Sequence, residues 1–90
     1  MYLIGDIGNT EIKLCLVNSY FKIVKKFYFR TDKISNHILK KFLSNDKKIK
    51  HALFSSVVPK VYLKINKYLK KNNIKCKEIK KLNLKKMVRL

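Results

Sequence analysis

The 90-residue chain changes its hydrophobic period once, and that change divides it into strands followed by helices and strands in alternation. Tyr2 to Ile4 is an unbroken apolar run of the kind found in a strand buried on both faces. Thr10 to Val17 alternates, with Ile12, Leu14 and Leu16 on one side and Glu11, Lys13 and Cys15 on the other. Phe21 to Phe29 is aromatic and β-branched and predicts a third strand, entered through a turn at Asn18-Ser19. Short connections make these three an antiparallel meander. Beyond them, Ile34, Ile38, Leu39, Phe42 and Leu43 form one helical stripe, with Thr31 or Asp32 as its cap. Ala52 to Val58 predicts a fourth strand. Pro59 suits the first turn of a second helix, where its missing N–H costs nothing. Val61 or Tyr62, Ile65 and Tyr68 or Leu69 stripe that helix, and Asn72-Asn73 supplies a stop tolerant of left-handed backbone. Ile74 to Ile79 reads as a weak fifth strand. The basic stretch 80–90 reads either as a frayed helix or as the start of a further element.

The resulting order, β-β-β-α-β-α-β, is a meander followed by two crossovers that add parallel strands to one mixed five-stranded sheet. That is the order of an α/β, ribonuclease H-like layer, and order alone does not give function.

Length allows one small domain, and 47% apolar residues with five Tyr and five Phe suffice for a packed core. No apolar run approaches a membrane span, and a carboxylate at position 6 without a basic leader argues against a signal peptide. Cys15 and Cys76 form no CxxC pair, which leaves no metal knuckle or disulfide framework and points to the cytoplasm. The net charge of +18 suggests nucleic acid or an anionic surface. Two features weaken that inference. Only Arg30 and Arg89 among 23 basic residues are Arg, the side chain that reads phosphates and guanines bidentately. Lys, Ile and Asn make up 39 of 90 residues along the whole chain, as AT-rich codon usage would give. The excess therefore reads mainly as a solvated surface that attracts polyanions nonspecifically at low salt.

Chemistry concentrates at Gly5-Asp6-Ile7-Gly8-Asn9-Thr10, where the chain's two glycines flank one carboxylate. Gly8 permits a positive φ and a close approach of turn amides to an anion. Asn9 and Thr10 add an amide and a hydroxyl, Asp6 suits a Mg²⁺ held through water, and Lys13 offsets phosphate charge. The same residues also read as an ordinary two-residue hairpin turn after a polar strand end. Ser55-Ser56-Val57-Val58-Pro59 reads likewise as a buried strand end with Ser caps for the helix opened by Pro59.

Taken as a pair, Asp-Ile-Gly-Asn-Thr at 6–10 with Ile12-Lys13, and Ser-Ser-Val-Val-Pro at 55–59 about 45 residues later, resemble the type III pantothenate kinases. That family belongs to the actin-like, sugar-kinase ATPase superfamily. The resemblance covers an N-terminal half-domain, residues 1–80, with 81–90 as a cut-short connection to a second half. It implies that Asp6, Ile7, Gly8, Asn9, Thr10, Glu11, Ile12 and Lys13 bind the ATP phosphates, with Asp6 nearest Mg²⁺ and Ser55 and Ser56 in the cleft wall. It further implies phosphorylation of the primary hydroxyl of pantothenate on the way to coenzyme A, a monovalent cation (K⁺ or NH₄⁺) beside ATP and Mg²⁺, and a homodimer. The family's Gly-x-Asp-Arg motif, which carries the general base, has no counterpart here: no Asp follows Asp46 and no Gly follows Gly8. The expectation is a truncated kinase, with its general base beyond residue 90 and no activity from this chain alone.

Other chemistry is poorly supported. His37 and His51 lack a nearby carboxylate or thiol for a metal, and neither cysteine has a His or Asn partner for nucleophilic catalysis. Tyr62 and Tyr68 fit an amphipathic helix better than a base-stacking platform, and consecutive residues of Phe27-Tyr28-Phe29 face opposite ways. The alternatives from other classes are a small basic nucleic-acid-binding module and a non-catalytic kinase paralogue. No specific nucleic-acid or membrane partner is expected.

Overall fold

The computed structural model describes residues 1–43 and 49–79. Its elements are β1 (Tyr2–Ile7), β2 (Glu11–Val17), β3 (Ile23–Arg30), a short 3-10 turn (Thr31–Lys33), α1 (Asn36–Leu43), β4 (His51–Ser56), α2 (Pro59–Lys71) and β5 (Lys75–Glu78). The five strands form one sheet in the order β3-β2-β1-β4-β5. β1 pairs antiparallel with β2 and parallel with β4, so the strand at the N-terminus is central. β2–β3 is antiparallel and β4–β5 parallel, which is the expected meander with two additions. The expected connection at 81–90 lies outside the described residues.

Alternation assigns the two faces of the sheet. Leu3 and Ile7 of β1, Ile12, Leu14 and Leu16 of β2, and Ala52 and Phe54 of β4 share the face covered by the helices. Leu39 and Phe42 of α1 and Tyr62, Ile65 and Leu69 of α2 close that core. Phe42 stands edge-on to Phe27 and Phe29, with ring centroids 4.3 and 6.0 Å away, and so pins the short α1 to β3. The opposite face carries a smaller apolar cluster of Ile4, Cys15 and Val17, all fully buried, with Ile79 against it.

Several element boundaries differ from the sequence pattern, each for a local reason. Asn18 Oδ1 accepts the N–H groups of Tyr20 (2.9 Å) and Lys22 (3.0 Å), extending the turn and holding Phe21 at a φ of 58°. A left-handed residue cannot continue a ladder, so β3 begins at Ile23. Neither Thr31 nor Asp32 caps α1, because a 3-10 turn intervenes and Ser35 Oγ accepts the Ile38 N–H instead (3.2 Å). The helix opened by Pro59 has no side-chain cap. Ser56 Oγ instead accepts the Val58 N–H and donates to the Val58 carbonyl, both at 3.0 Å, and so turns the chain out of β4 early. Asn73, at a φ of 60°, ends α2 as expected.

Candidate functional site

The phosphate-loop candidate sits where β1 ends and the hairpin to β2 begins. Register places Asp6 opposite Lys13 on one side and beside Ser55 on the other, and Lys13 opposite Tyr28. Tyr28, Lys13, Asp6 and Ser55 therefore form one row across four strands, on the face away from the helices. Arg30–Asp32 is the ion pair of the described residues (3.1 Å) and holds the Asp32 carboxyl below its usual range. Among the described residues, Asp6 and Lys13 make neither a hydrogen bond nor an ion pair through their side chains. Ser55 is 6% exposed, and its hydroxyl has no hydrogen-bond partner among the described residues. An orphaned buried hydroxyl costs roughly 1–3 kcal/mol, so this one calls for an explanation at the site itself.

The hairpin loop is held from both sides. Gly8 N–H donates to the Glu11 carbonyl (2.9 Å), and the Ile7 carbonyl accepts the Val57 N–H (3.0 Å). Asn9 and Thr10 are exposed. Gly8 does not use the positive φ it permits. Its lack of a side chain matters because a Cβ would face the Glu11 carbonyl oxygen at 3.1 Å. Gly5 is not a loop glycine: it lies within β1, and a Cβ there would fall inside the ring of Phe54. Ile7 and Ile12 are fully buried on the helix face, so their side chains build the core and only their backbone borders the loop. Glu11 is exposed and contributes its carbonyl, and Ser56 serves the turn after β4.

The sequence pattern does not mark Thr31 as a site residue, yet it touches the loop twice. Its hydroxyl donates to the Gly8 carbonyl (2.8 Å) and its N–H to the Thr10 carbonyl (2.9 Å). The one signal for it in the sequence is its position a single residue beyond a strand that pairs with β2.

Elsewhere the chemistry is quiet. Burial raises the pKa of both thiols, so neither Cys15 nor Cys76 is poised as a thiolate. Among the described residues no three His, Cys, Asp or Glu side chains gather into a metal cluster. No described helix is long and apolar enough to cross a membrane.

The sheet order and the polar row at the carboxyl end of its first strand define a ribonuclease H-like α/β half-domain. Residues 2–90 match the family described as type III pantothenate kinase, and the chain belongs to that family. A type III pantothenate kinase from Pelagibacter ubique (strain HTCC1062) is 45% identical over 95 residues, covering 100% of this chain and 38% of the relative. The chain thus spans less than two fifths of that curated relative's length.

Proposed function

We propose that this chain forms the ATP phosphate-binding half of a pantothenate kinase. The observation that carries the reading is the row of Asp6, Lys13 and Ser55 beside the Gly8–Thr10 loop: a carboxylate, an ammonium and a buried hydroxyl in register, none with a side-chain partner among the described residues. Groups left unpaired in the folded chain are those a ligand would use. A single carboxylate is what nucleotide-bound Mg²⁺ asks of a protein, since that ion keeps waters and phosphate oxygens as its remaining ligands. Asp6 would hold it through water. Mg²⁺ bound with the nucleotide supplies neutralisation of phosphate charge. Lys13 adds a positive charge beside the carboxylate, and the exposed Asn9 and Thr10 offer amide and hydroxyl donors from the loop.

Positioning supplies most of the acceleration in phosphoryl transfer, and this half positions the donor. The general base and the pantothenate contacts would come from outside residues 1–90. A cytoplasmic location, a homodimer and a monovalent-cation requirement belong to the same proposal.

The test is titration of the 90-residue chain with Mg·ATP, followed by the backbone amide shifts of Gly8 to Lys13. Binding that needs Mg²⁺ and is lost in Asp6→Asn is the expected result. Binding that ignores both and falls steeply with salt would make the interaction a polyelectrolyte one and overturn the reading. Transfer from ATP to pantothenate by this chain alone would overturn the assignment of the base elsewhere.

A further inference from the structure

We infer that Thr31 is a positioning residue that sets the shape of the Gly8–Thr10 loop for phosphate binding, a role that rests on the phosphate-loop reading above. Thr31 is 7% exposed and follows directly on Arg30, which pairs with Glu11 at the start of β2. Its backbone N–H bond to the Thr10 carbonyl extends the β2–β3 ladder by one residue and would exist for any non-proline side chain. The hydroxyl bond to the Gly8 carbonyl is different, because it reaches past β2 to the end of β1.

That second bond changes the turn. In a closed two-residue hairpin, Gly8 and Glu11 exchange two hydrogen bonds, Gly8 N–H to Glu11 carbonyl and Glu11 N–H to Gly8 carbonyl. Only the first is present here (2.9 Å), and the Gly8 carbonyl accepts from Thr31 Oγ1 instead. Thr31 thus holds the hairpin open at its tip. The Gly8–Asn9 peptide is planar and trans, so fixing the Gly8 carbonyl toward Thr31 fixes the Asn9 N–H in the opposite direction. An amide whose direction is set before the ligand arrives binds an anion without ordering the loop at that moment. Thr31 touches no reacting atom in this scheme and acts through the peptide it orients.

The hydroxyl can be removed without changing side-chain volume. Thr31→Val keeps the branched shape and the backbone N–H, whereas Thr31→Ser keeps the hydroxyl and loses a methyl group. Two readouts are needed: the amide shifts and hydrogen exchange of Gly8 to Glu11 in the free chain, and affinity for Mg·ATP. Thr31→Val is expected to shift the Asn9 amide, change the exchange of the Gly8 and Glu11 amides as the hairpin closes, and weaken Mg·ATP binding about tenfold, the scale of one lost hydrogen bond. Thr31→Ser is expected to stay within about twofold of the unsubstituted chain. Unchanged loop amides and unchanged affinity in Thr31→Val, with the fold intact by circular dichroism, would overturn the inference. A loop that moves in Thr31→Val while the unsubstituted chain binds no Mg·ATP would support Thr31's hold on the loop and remove the phosphate reading.

Discussion

Asp6 and Lys13 face each other across the β1–β2 ladder, and yet their charges are not joined in an ion pair. Cross-strand opposite charges normally contribute a few tenths of a kcal/mol when they meet, so leaving them apart gives up little stability and keeps both free for a ligand. Lys13→Gln should therefore leave the unfolding midpoint nearly unchanged while weakening Mg·ATP binding roughly tenfold, as removal of a charge-assisted phosphate interaction does. Parallel thermal melts and calorimetric titrations check this. A large fall in melting temperature would show that the lysine serves the fold instead.

Ser55 adds a gain in stability to the same loss of affinity. Its hydroxyl is buried without a partner among the described residues, so Ser55→Ala removes a desolvated polar group and should leave stability unchanged or raise it by up to ~1 kcal/mol. The same substitution should weaken Mg·ATP binding if the hydroxyl faces the ligand beside Asp6. Urea unfolding and titration of the same sample separate the two effects. Loss of stability with unchanged affinity would mean the serine has a structural partner.

Gly5 tests the core beneath the loop. The Phe54 ring fills the space a Cβ would take, on the face packed against α2, where the Phe54 and Tyr62 rings lie 6.3 Å apart. Gly5→Ala should destabilise by about 1–3 kcal/mol, the range for overpacking a filled core. Combining it with Phe54→Leu should cost less than the two single changes added together, because the smaller side chain vacates the contested space. Urea denaturation of the four chains measures that coupling.

The fate of Gly5 shows where sequence reading stops. Strand and helix order, the antiparallel meander, the Pro59 start and the Asn73 stop are all legible, because each depends on local pattern, short connections or one residue's backbone preference. Period two assigns Asp6 and Lys13 to faces, but their pairing is set by the register of the hairpin and is read from the folded sheet. Gly5 and Gly8 look equivalent beside Asp6, and what separates them is a ring half a chain away. Ser55 stands out only as part of a short motif, since burial and the lack of a partner are properties of the folded sheet. Thr31 reads as a helix cap because its position suits one. Its bond to Gly8 reaches past β2 to the end of β1, a contact between distant residues that no local window contains.

Tyr62 makes stability depend on pH at the alkaline end. Burial, with the Cys76 thiol 3.8 Å away adding to it, pushes its hydroxyl up to about 12 from an ordinary value of 10.0. A phenol held protonated by the fold contributes stability that is complete below pH 10.0 and is lost as pH rises through about 12. Tyr62→Phe lacks that titration. Its urea midpoint should decline less than that of the unsubstituted chain between those two pH values, with the ring's packing otherwise kept. Equal declines would show that Tyr62 ionises without cost to the fold.

Lys60, Lys64, Lys67 and Lys71 stand exposed on α2 at spacings of four, three and four, which places them along one ridge of the helix. Neither α1 nor α2 contains an acidic residue, so nothing on the described helices neutralises that ridge. Single-stranded RNA should therefore bind at low salt, with log affinity falling linearly in log salt as released counterions dictate. Replacing Lys67 and Lys71 with Gln should lower the slope by roughly 0.7 for each phosphate no longer neutralised, and should do so alike for unrelated sequences, since lysine lacks the forked geometry that reads bases. Asp6→Asn should leave this binding unchanged, because the ridge and the loop lie on different surfaces. Filter binding across a salt series, with two unrelated RNA sequences, measures both slope and selectivity. A preference for one sequence that survives high salt would make the basic face a dedicated nucleic-acid site and leave the kinase reading without its claim on the chain's charge.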